Sequence, residues 1–190
     1  MMQEADREHV RQAMRFLVAS GFVDGSLLDD LDARVDDLVD GADAALRAEI
    51  REQVTADLDA PARREAEWDE ETVNDRIDEA FDELWDGEVV ALQNVGYTPD
   101  EAWDDVDDAA ALLDAPRGAA LWLATETERA VDGAGLRILV AGLDRAPDAE
   151  LLDEVVGVLR KYGVDAAATG PSEVTVAPFR WQKRAFTEPG

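Results

Sequence analysis

One stretch of the sequence decides the fold: Val89-Val90-Ala91-Leu92-Gln93-Asn94-Val95-Gly96-Tyr97-Thr98-Pro99-Asp100-Glu101. Its first four residues form a continuous apolar run, which is the pattern of a buried strand. Thr98 and Glu101 have the spacing of a helix capping box, and Pro99 stands at the first helical position. A strand that leads into a capped helix predicts a sheet with helices packed on it.

Strand and helix patterns continue to alternate after this stretch. Apolar runs predict further strands over residues 119–123, 136–143, 164–168 and 174–177, the last two as a hairpin. A second capping box, Thr125-Glu126-Thr127-Glu128, predicts a short helix that ends at Gly133 or Gly135. Pro147 opens a longer helix, whose last turn carries Arg160 and Lys161. The predicted order of elements is β-α-β-α-β-α-β-β, and the pattern leaves the strand order open.

The residues before the stretch carry apolar side chains at the three-to-four spacing that is typical of helices. They predict one helix ending near Gly21, a second capped by Ser26, a third ending at Pro61, a short turn over residues 63–68 and a fourth beginning near Thr72. The predicted class is α+β, a helical N-terminal region followed by a small mixed sheet. We expect an acidic helical region over residues 1–67 and an α+β domain over residues 68–190.

Composition excludes several classes of site. The 190 residues include no cysteine, which excludes disulfides, zinc–thiolate sites, iron–sulfur clusters and thiol catalysis. The single histidine, His9, is expected on a polar helix face. No Gly-rich phosphate-binding motif occurs, which argues against a nucleotide enzyme. No apolar run approaches the roughly 20 residues that span a bilayer, and Met1–Ser20 does not resemble a signal peptide. We expect a cytoplasmic protein with no membrane association and no cofactor.

The charge balance is the strongest feature of the composition, with 45 acidic against 18 basic residues and a net charge of −27. Residues 1–144 hold 38 of the acids and 12 of the bases. A field of this sign repels nucleic acid and anionic membranes and attracts cationic partners. Three interpretations remain open: an organism-wide acidic surface that stays hydrated, a docking surface for a basic protein, and mimicry of a nucleic-acid backbone.

The loop after the first strand is the leading candidate site, because ligands of layered α/β structures bind where a strand leads into a helix. The candidate binding residues of this corner are Asn94, Tyr97, Thr98, Asp104 and Asp105. The alternative is a capped structural turn against which Tyr97 packs. Trp103 shares a helix face with Val106 and is predicted to be a core residue rather than a platform on which a ligand stacks. The acidic helices over residues 29–43 are a second expected contact surface.

The C-terminal tail is the one basic, aromatic segment: Phe179-Arg180-Trp181-Gln182-Lys183-Arg184-Ala185-Phe186. Such segments bind nucleic acid through stacking and phosphate contacts, but the net charge of this chain opposes that role. We therefore predict that the tail lies on the acidic body or along the sheet edge, anchored by Phe179 and Trp181. Arg180 and Trp181 complete the set of candidate binding residues.

The carboxylates of the first capped helix suggest two further chemistries. Asp104, Asp105, Asp107 and Asp108 offer oxygen ligands, but a rigid helix wraps a cation poorly and no EF-hand spacing occurs, so no metal site is expected. A small hydrolase or transferase would use Asp104, Asp105 and Glu126 for acid–base catalysis. That mechanism requires environments that push the pKa values of the carboxyl groups apart.

Motifs distributed over the chain carry a family resemblance. They are Trp68, Thr72, Asp75-Arg76, Asp78, Ala80-Phe81, Leu84, the run Val89–Thr98, Trp103-Asp104-Asp105-Val106, Glu128–Gly133 and Phe179-Arg180-Trp181-Gln182. In this order they resemble a bacterial family of unknown function, domain-of-unknown-function family 6891. The resemblance implies a fold and no known activity. Family members often carry a Tyr/Phe-His-x-Gln-Asp string where this chain has Trp122-Leu123-Ala124-Thr125-Glu126, so chemistry that depends on that His and Asp is expected to be lost here.

Together these patterns predict a non-enzymatic binding or interaction module with a basic protein partner. The alternatives are a small hydrolase or transferase that uses clustered carboxylates, and an acidic nucleic-acid mimic. A flat acidic face would favour the interaction module, whereas a closed, partly apolar pocket holding two or more carboxylates would favour the enzyme.

Overall fold

A computed structural model gives the fold and describes residues 4–23, 27–39, 42–59, 68 and 70–184. The chain divides into two compact units, one formed by residues 1–70 with 182–190 and the other by residues 71–181. The described part of the first unit is helical, and the second contains a five-stranded mixed sheet with helices packed on it. The predicted α+β class is therefore confirmed.

Three amphipathic helices build the first unit: α1 over Glu4–Ser20, α2 over Leu27–Leu38 and α3 over Ala44–Asp59. Their apolar stripes meet in one core, formed by Val10, Met14, Val18, Leu27, Leu31, Val35, Leu46, Ile50 and Val54. His9 is exposed, as predicted. The predicted cap at Ser26 and most of the predicted turn over 63–68 lie outside the described residues.

The C-terminal tail belongs partly to this first unit. Lys183 approaches Gly21 just after α1, and its ammonium lies 4.6 Å from the centroid of the Phe22 ring. The guanidinium of Arg184 lies 6.0 Å from the Trp68 ring and donates a hydrogen bond of 3.3 Å to the carbonyl of Glu70. These contacts hold residues far apart in sequence within one compact unit.

The second unit alternates helices and strands. Its elements are α4 (Val73–Asp86), β1 (Val89–Val95), α5 (Pro99–Ala110), β2 (Gly118–Leu123), α6 (Ala124–Val131), β3 (Leu136–Ala141), α7 (Ala149–Lys161), β4 (Ala166–Gly170) and β5 (Glu173–Val176). The strand order is β1-β2-β3-β5-β4. The β1–β2 pair is parallel, joined through α5, and the other pairs are antiparallel.

Helices cover the sheet on both faces. On one face, Trp103 and Val106 of α5 pack against Val90 and Leu121, so the prediction that Trp103 is a core residue is confirmed. On the other face, α4 and α7 contact the sheet and each other, and the ring of Phe81 meets that of Trp122 edge-on at 4.9 Å. The central strand β2 is buried on both faces over Gly118–Trp122, which explains why it reads as a continuous apolar run.

Two predicted helix starts were placed wrongly. The capping box at Thr125–Glu128 does not form: α6 begins at Ala124, and its N-cap is Leu123, with no side-chain cap. The amide of Ala124 donates to the carbonyl of Gly96 at 2.9 Å, so pairing with the loop after β1 sets the start two residues earlier than predicted. Pro147 precedes α7 rather than opening it, because Asp148 is the N-cap and accepts from the amide of Leu151.

Candidate functional site

The loop after β1 lies at the carboxyl end of the two parallel strands. In β1, two residues, Gln93 and Asn94, stand opposite one residue of β2, so this strand carries a bulge. Asn94 adopts a left-handed backbone with φ of 57°, a conformation that asparagine tolerates better than most residues. The bulge lies where the chain leaves the sheet and turns towards α5.

The predicted capping box at Thr98 is confirmed. The Thr98 hydroxyl accepts from the amide of Glu101 at 3.3 Å, and the Glu101 carboxylate accepts from the amides of Tyr97 and Thr98 at 2.7 and 3.3 Å. A Cβ on Gly96 would lie 2.8 Å from the amide nitrogen of Ala102, so only glycine permits this close approach. These amides already have acceptors, and the Glu101 carboxylate lies among them, which disfavours a further anion at this end of α5.

The outer face of α5 is a dense row of carboxylates. Six acidic side chains of this 12-residue helix are exposed: Asp100, Glu101, Asp104, Asp105, Asp107 and Asp108. Within the described part of the chain, the one ion pair found for them joins Asp107 to Arg145, with 3.7 Å between Oδ2 and Nη2. The helix therefore presents a negatively charged face to solvent.

Two large apolar side chains lie exposed at the ends of this helix. Tyr97, just before α5, is 61% exposed, and Leu112, just after it, is 77% exposed. They are the large hydrophobic residues found exposed among those that the structure describes. We call α5's exposed carboxylates together with Tyr97 and Leu112 the acidic corner. Of the candidate binding residues, Tyr97, Thr98, Asp104 and Asp105 lie in or beside it, and Asn94 lies in the bulge that leads to it.

Arg145 is the cation of the acidic corner that sequence reasoning missed. It belongs to the loop between β3 and α7, and its guanidinium carbon lies 5.3 Å from the centroid of the Trp103 ring. Its backbone is left-handed, with φ of 65°. No local motif marked this residue, because it meets α5 through the tertiary fold.

Glu126, the third carboxylate of the predicted acid–base set, is buried rather than exposed. It accepts hydrogen bonds from Arg129 at 2.7 and 2.9 Å and from Nε of Arg137 at 3.0 Å, and it also pairs with Nη2 of Arg137. Burial alone raises its pKa, but the bonds from Arg137 and Arg129 outweigh burial and hold the pKa below the usual value. Glu126 is therefore ionised and fully engaged, which suits structural pairing better than proton transfer.

The remaining predicted residues lie elsewhere. Arg180 is exposed in the segment after β5, and the Trp181 ring is 5.9 Å from that of Phe179. In the acidic region over residues 29–43, Asp36 of α2 pairs with Arg47, and Asp43, just before α3, pairs with Arg7. That surface is thus neutralised at more positions than the acidic corner, where the one pair found among the described residues joins Asp107 to Arg145.

We also searched the described residues for metal sites, membrane-spanning helices and pockets. No group of three or more His, Asp or Glu side chains there is arranged to hold a metal ion. No described helix has the length and apolarity to cross a membrane. A shallow, open depression of about 550 Å³ lies on α3, lined by Ala48, Arg51, Glu52, Thr55 and Ala56. Its shape is that of a groove on a helix surface, not a closed pocket.

Comparison with known families identifies the chain. A family model described as a domain of unknown function, DUF6891, matches residues 3–185. The chain belongs to this family. The resemblance inferred from the motifs between Trp68 and Gln182 is thereby confirmed. Searches of curated proteins and of solved structures found no match to this DUF6891 member.

Proposed function

We propose that this DUF6891 member is a non-enzymatic interaction module that docks a basic protein segment on its acidic corner. One observation carries the proposal: six exposed carboxylates share α5, and among the described residues a single cation, Arg145, is paired with them. Such a face concentrates cationic partners and accelerates their association. Tyr97 and Leu112 at its two ends supply apolar contacts around which a specific interface forms.

The same geometry favours this function over the enzyme alternative. Asp104 and Asp105 are exposed on the outside of a helix, whereas Glu126 is buried and bound to two arginines. The carboxylates therefore do not converge on a pocket that would exclude water from a reaction. The cytoplasmic location expected from the sequence is part of the proposal and is testable by cell fractionation.

The first test compares two pairs of carboxylates that have the same spacing. Asp104→Asn/Asp108→Asn removes two charges from the acidic corner, and Asp82→Asn/Asp86→Asn removes two exposed charges, also four residues apart, from α4. Binding of labelled oligolysine is measured by fluorescence anisotropy over a salt series. We expect the corner variant to weaken binding about fivefold more than the α4 variant does. Equal weakening by both pairs would assign the binding to diffuse surface charge and overturn the proposal.

The second test examines the apolar ends of the corner at constant charge. Tyr97→Ser/Leu112→Ser is expected to weaken binding of a peptide that mixes arginine and leucine, because exposed apolar groups at an interface lose water on contact. Oligolysine binding, which lacks the apolar component, should change little. An equal loss for both peptides would contradict the role assigned to Tyr97 and Leu112.

A further inference from the structure

Arg145 occupies a position on the acidic corner that a partner's side chain would also fit. We infer that the corner recognises an arginine of the basic partner at the Trp103–Asp107 position, and that Arg145 is an internal competitor which the partner's arginine displaces. This inference rests on the proposed function and adds to it the identity of the recognised side chain. It also assigns Arg145 a regulatory role, since this residue lowers the apparent affinity of the site that it fills.

The geometry of Arg145 defines the chemistry of the position. Its guanidinium carbon lies 5.3 Å from the centroid of the Trp103 ring, and its Nη2 lies 3.7 Å from the Asp107 carboxylate. An aromatic face below the cation and a carboxylate beside it are the two features that select a planar, delocalised guanidinium. An ammonium group is compact and strongly hydrated, so it gains less from the ring. The structure thus contains an occupied arginine position.

The contact between Arg145 and Asp107 can break without unfolding the loop between β3 and α7. The Arg145 side chain is 46% exposed and that of Asp107 is 66% exposed, and an exposed pair at this distance contributes little to stability. The loop itself is held by other bonds, from the Gly142 amide to the Ala146 carbonyl at 2.9 Å and from the Arg145 amide to the Gly142 carbonyl at 2.8 Å. None of these bonds uses the guanidinium, so the side chain leaves while the loop remains.

Trp103 is 8% exposed in the intact chain, and we expect Arg145→Ala to expose more of its ring and to leave Asp107 without the one ion pair found for it among the described residues. Loss of any surface arginine also makes the protein more negative and strengthens binding to every basic peptide. Discrimination between arginine and lysine is therefore the informative quantity. Arg34 provides the charge-matched control, because it is exposed on α2 and no ion pair is found for it among the described residues.

The experiment measures dissociation constants of length-matched oligoarginine and oligolysine peptides for the wild-type chain, Arg145→Ala and Arg34→Ala. For Arg145→Ala we expect the affinity for oligoarginine to rise about two- to fivefold more than that for oligolysine. For Arg34→Ala we expect equal changes for the two peptides. In the Arg145→Ala background, Trp103→Leu should abolish the discrimination, with circular dichroism reporting whether that variant folds. Asp107→Asn, at an exposed position, provides the second test in the same background and should reduce the discrimination.

Two failures are distinguishable. If Arg145→Ala changes both affinities equally, as Arg34→Ala does, the arginine position is wrong while the acidic corner remains a binding face. If Asp104→Asn/Asp108→Asn weakens binding no more than Asp82→Asn/Asp86→Asn, the proposed function itself fails. Retention of the discrimination in folded Arg145→Ala/Trp103→Leu, or in Arg145→Ala/Asp107→Asn, would also overturn the inference.

Discussion

At the scale of single residues, Thr98 has a measurable effect on stability. Thr98→Ala removes the hydroxyl that accepts from the Glu101 amide and should cost about 1 kcal/mol in the free energy of unfolding, measured by urea denaturation. Thr98→Ser keeps the acceptor and should retain most of that stability. Thr125→Ala is the matched control, since Thr125 lies inside α6 and caps nothing. An unchanged midpoint in Thr98→Ala would mean that the cap contributes nothing to stability.

The ionisation of Glu126 makes the free energy of unfolding depend on pH. Its pKa is lowered in the folded state, so the stability that it contributes is present above the unfolded value, about 4.3, and is lost as the pH falls through the folded value. Glu126→Gln should lower the free energy of unfolding at neutral pH by about 1–2 kcal/mol, because two half-exposed guanidinium groups lose the negative charge and one of the two oxygens that they share.

The gap in unfolding free energy between wild type and Glu126→Gln should therefore narrow as the pH falls below about 4.3, the unfolded value, and close once the pH has passed the lowered pKa of the folded state, because protonation then removes the charge from the wild-type carboxyl group as well. Urea midpoints measured across this range provide the check. Glu128→Gln, two residues further along α6, is the control and should leave a small gap at every pH. A gap for Glu126→Gln that stays constant on acidification would contradict the assigned direction of the shift.

At the scale of elements, the residue that ends α1 lies against the C-terminal tail, and this close approach contributes to stability. Gly21 has φ of 76°, and a Cβ there would lie 2.7 Å from the carbonyl oxygen of Lys183. Gly133, after α6, has φ of 87°, but a Cβ there would have no neighbouring atom within 4 Å among the described residues. Gly133→Ala should therefore cost about 1 kcal/mol through backbone strain alone, whereas Gly21→Ala should cost more because the tail must also move.

Thermal or urea unfolding of the two alanine variants measures this difference. In limited proteolysis, the tail of Gly21→Ala should also be cleaved near Lys183 faster than that of the wild type, because the new Cβ displaces the tail from its position beside α1. Equal destabilisation by the two substitutions, with unchanged cleavage, would show that the approach of Lys183 adds nothing to stability.

At the scale of the whole molecule, the net charge of −27 makes stability depend on salt. Folding brings like charges such as those of α5 within a Debye length, about 10 Å at 0.1 M and about 3 Å at 1 M, so the folded state bears more repulsion than the unfolded one. Ion pairs such as Arg7–Asp43 and Arg117–Glu154 oppose this trend, but exposed pairs contribute little.

The Tm should therefore rise between low and molar NaCl, as measured by calorimetry. Asp104→Asn/Asp108→Asn removes part of the repulsion on α5 and should both raise the Tm at low salt and reduce the rise. A flat or falling curve would mean that the ion pairs outweigh the repulsion, and the solvated-surface interpretation would then be wrong.

Short sequence patterns specify several local features of the fold. The cap at Thr98 joins atoms three residues apart, and the apolar run at Val89 reflects burial on both faces of a strand, so each pattern is complete within a short segment. The acidic character and the family resemblance likewise need no coordinates. The second capping box, at Thr125, matched the same pattern and failed, because the Gly96 carbonyl from another strand's loop competed for the start of α6.

The tertiary structure alone decided the strand order β1-β2-β3-β5-β4, the pairing of Glu126 with Arg137 and the position of Arg145 over Trp103. Each of these contacts joins elements whose separation in sequence carries no periodic signal. Their energies arise from long-range packing and charge pairing, which select one arrangement only after the local elements have formed. A charged residue in a loop therefore looks the same in the sequence whether it lies in solvent or, as Arg145 does, over an aromatic ring.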